Sequence, residues 1–388
     1  MSDRLVRTRP GSPSTLGLLE LCPLAYLMVT EGAPRKTLGR HPAAMLGTAV
    51  HDATSSMITA GIPTQHAAID LVKEAFVKQA GGLGHSSNLG RWLLGRYGIE
   101  GFVSRRQLLE RSSYAISLAS RLPRCPPSGR VIQSMKGSVP VGSERWLESG
   151  KLGVAGRVDF ILREAEGIFR IVDFKTGKIH DDDGRVKRGY LLQMAAYARI
   201  VEHIDPAANI QLELVGRTET WSSLFDPALR SMIDAVLAIL QAKLPLGKEV
   251  MREEVAVIGE HCLRCASRPS CRTYNTALSS RVAPIPRSWA RDSFDVHGRV
   301  LEIRDEAGLF TLRFEDAAGG RARIVGIPAT VVEEAALAVG CTFNAYALGT
   351  LELVREECFP SNFFVVDPIS PRRTAFQAVI TTIESELA

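Results

Sequence analysis

Three side chains carry the most chemical promise: Asp159 in GRVDFI, and Asp173 with Lys175 in IVDFKTG. On a strand, residues two apart share a face, so Asp173 and Lys175 emerge together while Val172 and Phe174 turn to the opposite layer. Asp159 lies fourteen residues ahead of Asp173, a distance that fits a β-hairpin setting both carboxylates side by side. Adjacent carboxylates repel, and a bound divalent cation relieves that repulsion. The lysine adds a point charge able to hold a phosphate oxygen or an attacking water. Two carboxylates and an ammonium around one hard ion suit metal-assisted phosphodiester hydrolysis. The run IFRIV before the charges is almost wholly apolar, and a buried strand rarely ends in ions without a task.

Several other residues fit the same chemistry. His51, with Gly47 one turn earlier on a helix starting near Ala44, offers an imidazole to complete a metal shell. Gln193 and Tyr197 are four apart on a second helix and so share a face, from which an amide and a phenol can contact phosphate or orient water. Glu144, in a strand-like stretch ahead of Asp159, is a candidate accessory acid. Cys262, Cys265 and Cys271 form a C-x2-C-x5-C cluster one ligand short of four, and Cys22 is available as the fourth. Such thiol-rich sets bind zinc readily, and His261 adjoins Cys262. Cys125, Cys341 and Cys358 lack partner spacing and read as free thiols.

The elements that must position these groups are legible in outline. The segment SPSTLGLLELCPLAYLM predicts one capped helix, with Ser12 or Ser14 as cap. Residues 64–121 read as helical, and LPRCPPSG (122–129) breaks the pattern. Strands are expected at VIQSMKGSVPV, KLGVAGRVDFILRE and GIFRIVDFKTG, then a helix at YLLQMAAYARIVEHI, a strand at IQLELVG and a helix near 226–243. RVAPIPRSW (281–289) reads as a linker. Beyond it, HGRVLEIR, GLFTLRFED and RARIVGIPA predict three strands, ATVVEEAALAVG a helix ending at Gly340, and CTFNAYALGTLELV and NFFVVD two more strands. The order β-β-β-α-β-β is that of an OB-fold.

The expected class is therefore α/β, a mixed sheet flanked by helices, with a C-terminal small β-barrel. The expected domains are residues 1–283, with a helical insertion at about 62–125, and residues 284–388. No run approaches the ~18 apolar residues of a membrane span, and no secretory leader is visible, so a cytoplasmic location is expected. The net charge of +5 is uneven: residues 1–283 hold 37 Lys+Arg against 27 Asp+Glu, and residues 284–388 hold 10 against 15. A polyanion partner thus suits the first part only. Arg91, Arg96, Arg105, Arg106 and Arg111 could line a path for a phosphate backbone. Phe310, Phe314, Phe343, Phe363 and Phe364 alternate with apolar residues and read as core rather than stacking platforms. The acidic C-terminal part is expected to dock a protein.

The ordered set LGTAVH, GRVDFI, IVDFKTG and QMAAY resembles the RecB-like branch of the PD-(D/E)xK nuclease superfamily, over most of residues 12–275. The resemblance implies that His51, Asp159, Asp173 and the backbone carbonyl of Phe174 bind Mg2+ or Mn2+. It implies that Lys175 assists the attacking water and that Gln193 and Tyr197 contact substrate. Asp173 stands where some members carry Glu, which keeps the carboxylate. A lone N-terminal cysteine followed by C-x2-C-x5-C is similar to the iron–sulfur subgroup, which includes AddB-type helicase–nucleases and CRISPR-associated RecB-like nucleases. Cys22, Cys262, Cys265 and Cys271 would then hold a structural [4Fe–4S] cluster, with Zn2+ as the alternative. The implied activity is a deoxyribonuclease, an exonuclease on single-stranded DNA or DNA ends, serving recombination, repair or antiviral defence. No Walker A motif appears, so unwinding would need a separate helicase. The competing expectations are a non-catalytic, metal-stapled DNA-binding scaffold and a CRISPR-type trimming nuclease.

Overall fold

The computed structural model describes residues 4–31, 42–61, 64–81, 103–121, 139–164, 167–280, 294–316, 319, 321–348 and 379–382. The expected strand over 131–141 lies mostly outside these residues, and NFFVVD, the linker, Arg91, Arg96, Cys125, Cys358, Phe363 and Phe364 lie wholly outside them. The chain divides into two compact units, one drawn from 1–32, 46–75 and 108–257, the other from 33–45, 76–107 and 258–388.

The first unit is built on a five-stranded sheet of β2 (Gly142–Ser149), β3 (Val154–Arg163), β4 (Ile168–Lys175), β5 (Asn209–Gly216) and β6 (Thr220–Leu224), in that spatial order. Strands β2, β3 and β4 run as an antiparallel meander, β4 pairs parallel with β5, and β5 pairs antiparallel with β6. A parallel pair needs a crossover, and a helix at Arg188–Ile204 supplies it, its face of Leu192, Met194, Ala195, Ala198, Ile200 and Val201 wholly buried. A second helix, Pro227–Lys243, starts where Asp226 Oδ1 accepts the Leu229 N–H at 2.8 Å and Pro227 opens the first turn. A short strand β1 (Arg4–Val6) pairs with β7 (Glu249–Met251).

The single N-terminal helix expected from the sequence is two: α1 (Leu16–Leu21) and α2 (Pro23–Thr30). Pro23 lacks an amide hydrogen and cannot continue α1, so Cys22 becomes extended and caps α2. The next helices are α3 (Pro42–Ala60), α4 (Gln65–Gly81) and α5 (Arg105–Arg121). In chain order, Arg188–Ile204 is then α6, Pro227–Lys243 is α7, and the turn Arg252–Val255 is α8. Among the described residues no helix is long and apolar enough to cross a membrane.

The second unit holds the cysteine-rich segment, a helix α9 (Arg272–Ser279), and a five-stranded antiparallel sheet. Its strands are β8 (Phe294–Glu306), β9 (Leu309–Asp316), β10 (Arg321–Pro328), β11 (Thr342–Leu348) and β12 (Val379–Thr382), ordered β10-β9-β8-β11-β12. Ala307 and Gly308, with φ of 57° and 88°, make the two-residue hairpin between β8 and β9. The helix expected to end at Gly340 is only α10 (Ala329–Glu334), stopped where Ala336 turns to a φ of 48°. Phe314 and Phe343 are buried edge to face at 5.2 Å, as core.

Candidate active site

Asp173 and Lys175 sit at the C-terminal end of β4, and Asp159 on β3. The regular ladder between β3 and β4 runs over Phe160–Arg163 and Phe169–Val172, and beyond it the aspartates come together. Asp159 Oδ2 accepts the Phe174 backbone N–H at 2.7 Å, a hydrogen bond of the kind that otherwise closes a ladder. His51, from α3, approaches the same oxygen through Nδ1 at 3.3 Å, and its ring lies 6.2 Å from that of Phe174.

Asp173, Lys175 and Gln193 form a closed ring. Lys175 Nζ lies 2.6 Å from Asp173 Oδ2 and donates to Gln193 Oε1 at 2.7 Å, while Gln193 Nε2 donates to Asp173 Oδ1 at 2.7 Å. The amide thus reads both partners at once, an orientation only a carboxamide can satisfy. The Lys175 ammonium also lies 4.4 Å above the Tyr190 ring. Tyr190 escaped the sequence reading, although its position three residues before Gln193 on α6 was a usable signal.

Two glycines explain how closely the helices approach. A Cβ on Gly47 would meet Thr176 Oγ1 at 2.7 Å, so glycine lets α3 pack on the turn after Lys175. A Cβ on Gly156 would meet Pro13 Cδ at 2.7 Å and the Tyr197 hydroxyl at 3.2 Å. Tyr197 itself is buried, and its hydroxyl donates to the Arg157 carbonyl at 2.7 Å. Its bond is therefore to the scaffold of β3 rather than outward. Tyr114, on α5, donates to the carbonyls of Lys175 and Val215 at 3.2 and 3.0 Å, holding the ends of β4 and β5 together. No local pattern could have found it, since both partners are distant in sequence.

The electrostatics follow from burial. Burial pushes Asp173 up, Lys175 opposes it, Asp159 adds to it, and the carboxyl titrates near about 6. Burial also favours protonating Asp159, but His51, the Phe174 N–H and Lys175 outweigh it and hold that carboxyl below the ordinary range. Burial favours a neutral His51, yet Asp159 overrides it and raises the imidazole to about 9. Glu144 faces the same region: burial and then Asp159 raise it to about 7, despite Arg157 Nε at 2.6 Å from its carboxylate.

The donor set suits a hard divalent ion: two carboxylates, one of them with the buried Oδ2 of Asp173 left without an aligned hydrogen bond, and an imidazole. Among the described residues, no group of three His, Cys, Asp or Glu side chains stands placed to hold a metal ion. The reason is visible in the pairing, since Lys175 engages Asp173 while His51 and the Phe174 N–H engage Asp159.

The arginines divide. Arg105 and Arg106 are exposed in the first turn of α5. Arg111 is turned inward instead: its Nη1 donates to the Thr176 carbonyl at 2.7 Å, bracing the turn after Lys175 rather than lining a surface.

The cysteines are structurally distinct. Cys22 is buried, and its sulfur accepts backbone N–H groups of Ala25 at 3.4 Å and Val257 at 3.5 Å. In the other unit, Cys262 and Cys271 pack against Tyr274, and the turns joining Cys262, Cys265 and Cys271 are closed by Cys265 N–H to Cys262 O and Cys271 N–H to Arg268 O. Arg268 is buried, binds the Asp295 carboxylate at 2.6 and 2.9 Å, and donates to the carbonyls of Leu263 and Cys265.

Comparison with known proteins agrees with the motif set. An ATP-dependent helicase/deoxyribonuclease component from Pelotomaculum thermopropionicum is 27% identical over 228 residues, which is 57% of this chain and 19% of that protein. The match thus spans about a fifth of the relative's length. Among solved structures, a putative exonuclease from Eubacterium rectale is 13% identical with a TM-score of 0.24, covering 44% of this chain and 73% of that one. SSO0001 is 10% identical with a TM-score of 0.23, covering 67% and 94%. The family model of the PD-(D/E)XK nuclease superfamily matches residues 10–272. With most of its length inside that match, and with Asp159, Asp173 and Lys175 gathered where the β3–β4 ladder ends, the chain belongs to the PD-(D/E)XK nuclease superfamily.

Proposed function

We propose that this chain is a Mg2+- or Mn2+-dependent deoxyribonuclease that hydrolyses phosphodiester bonds, acting as an exonuclease on single-stranded DNA or DNA ends. The observation that carries the reading is the buried ring of Asp173, Lys175 and Gln193 beside the Asp159–His51 pair. Burying that much charge is costly unless it serves a task. His51, Asp159, Asp173 and the Phe174 carbonyl would hold the divalent ion, which supplies an activated water and offsets charge building on the phosphate. Lys175, held by Gln193 and Tyr190, keeps an ammonium at the carboxylates, where it orients the attacking water or meets the phosphate. Tyr197 and Arg111 act at one remove, by fixing β3 and the turn after β4.

Cys22, Cys262, Cys265 and Cys271 would hold a [4Fe–4S] cluster of structural role, placing the chain in the iron–sulfur, RecB-like branch. The two backbone N–H groups aimed at the Cys22 sulfur are contacts of the kind that orient a ligating side chain, which supports the reading. Zn2+ is the alternative occupant. Residues 284–388 are read as a separate OB-like domain, supported by the strand order β10-β9-β8-β11-β12 with a helix between β10 and β11. Its acidic balance supports docking of a helicase or another DNA-processing protein, in recombination, repair or antiviral defence, with CRISPR-type trimming as a variant of that role. The test is an assay on oligonucleotides blocked at the 5′ or 3′ end, with Mg2+, Mn2+ or chelator. Metal-dependent loss of label from one end is expected; no cleavage under any metal would favour the scaffold reading instead.

A further inference from the structure

We propose that the exposed indole of Trp146 and the guanidinium of Arg157 form a stacking-and-phosphate subsite that feeds a single DNA strand into the carboxylate pocket. The inference rests on the nuclease reading and names the form of its substrate. Strand β2 is an edge of its sheet, and Trp146 is paired directly opposite Arg157 on β3. Directly opposed residues point to one face, and so do residues two apart on a strand. Trp146, Arg157 and Asp159 therefore share a face, with Arg157 about 7 Å along the strand from the carboxylate.

An exposure this high is unusual for a tryptophan. Trp146 is 58% exposed on an edge strand, and the Arg157 side chain is 62% exposed. Neither is left to wander. The Trp146 Nε1–H donates to Glu148 at 3.2 Å, and Arg157 Nε lies 2.6 Å from Glu144. Glu144 faces Asp159 across the strands and holds a left-handed φ of 52°. The Arg157 backbone is fixed in turn by the Tyr197 hydroxyl. An aromatic face beside a cation that tracks toward a hydrolytic centre is complementary to one strand, whose unpaired bases offer π-faces and whose phosphates offer charge. A duplex offers no free base face to such an edge.

The test uses the full chain with chelator present, so that binding is read without cleavage. The probes are fluorescein-labelled oligo-dT, an abasic oligomer of equal length, and a hairpin-capped duplex. Trp146→Ala is expected to weaken oligo-dT binding about 5- to 150-fold and leave the abasic oligomer unchanged. Trp146→Phe should restore most of the loss. Arg157→Gln should weaken both single strands and lower the salt slope by about 0.7. Wild-type binding that ignores oligo-dT, or a Trp146→Ala loss equal for both single strands, or none, overturns the proposal. Cleavage with Mg2+ is scored separately. A wild type that binds in the expected pattern but never cleaves refutes the nuclease reading alone; one that cleaves, with Trp146→Ala binding normally, refutes the subsite alone.

Discussion

Asp173→Asn should abolish cleavage and yet make the metal-free protein more stable. Asn keeps the shape, and its Oδ1 can still accept from Gln193 Nε2, while its Nδ2 replaces Oδ2 beside Lys175, whose flexible ammonium turns away from it and keeps Gln193 Oε1 and the Tyr190 ring. What it removes is a charge whose ionisation the fold resists, since burial and Asp159 raise the carboxyl from 3.8 to about 6. A carboxylate with a raised folded-state pKa holds its proton longer when folded, so its ionisation erodes stability as pH climbs from 3.8 through 6. At ~1.4 kcal/mol per unit, the erosion is roughly 3 kcal/mol at pH 8 and about half of that at pH 5. Asn escapes both. At ~2–4 °C per kcal/mol, the nuclease unit should melt about 3–6 °C higher than wild type at pH 5 and about 6–12 °C higher at pH 8. Differential scanning calorimetry in chelator reads this directly. A variant that melts no higher than wild type, or gains equally at both pH values, refutes the claim that Asp173 is held under electrostatic strain.

Other expectations follow from the same contacts. The His51–Asp159 pair raises His51 to about 9, so its contribution, up to about 3 kcal/mol, is full below 6.5 and is lost as pH rises through 9. Melting curves from pH 6 to 10 should show that decline in wild type and not in His51→Gln. Gln193→Leu deletes two hydrogen bonds to charged groups while the Asp173–Lys175 pair survives, and should cost about 2–4 kcal/mol in urea unfolding. Arg268→Met takes the guanidinium away from the buried Asp295 while the Tyr274 hydroxyl stays, and should cost about 3–5 kcal/mol in the unit that carries it. Adding Asp295→Leu should recover much of that loss, read by the same unfolding curves.

The gathering of Asp173, Lys175 and Gln193 was legible because its signals are local. Asp173 and Lys175 lie two apart on one strand, and Gln193 lies on a helix whose apolar period is unmistakable. The glycines of LGTAVH and GRVDFI were visible as motif letters, but the contacts that require them, Thr176 and Pro13, are tertiary. Tertiary partners also decided Tyr114 and Arg111, whose targets at the ends of β4 and β5 and in the turn after β4 lie far along the chain. The bond from Arg111 to Thr176 was not legible, because arginine alternation on a helix does not say which turn faces a carbonyl-rich strand end. The N-terminal helix was mis-joined for a different reason: apolar periodicity runs through Pro23, and only its missing donor breaks the ladder. Strand β6 (TWSSL) was missed because an exposed edge strand has little apolar signal.

Calorimetric titration of Mn2+ into the chelator-stripped chain tests the central claim most directly, because it asks whether two buried carboxylates share one hard ion. The account predicts that wild type binds Mn2+ and that Asp159→Asn and Asp173→Asn each lose affinity by more than the ~10–100-fold typical of an outer partner. Wild-type affinity in either variant would contradict it.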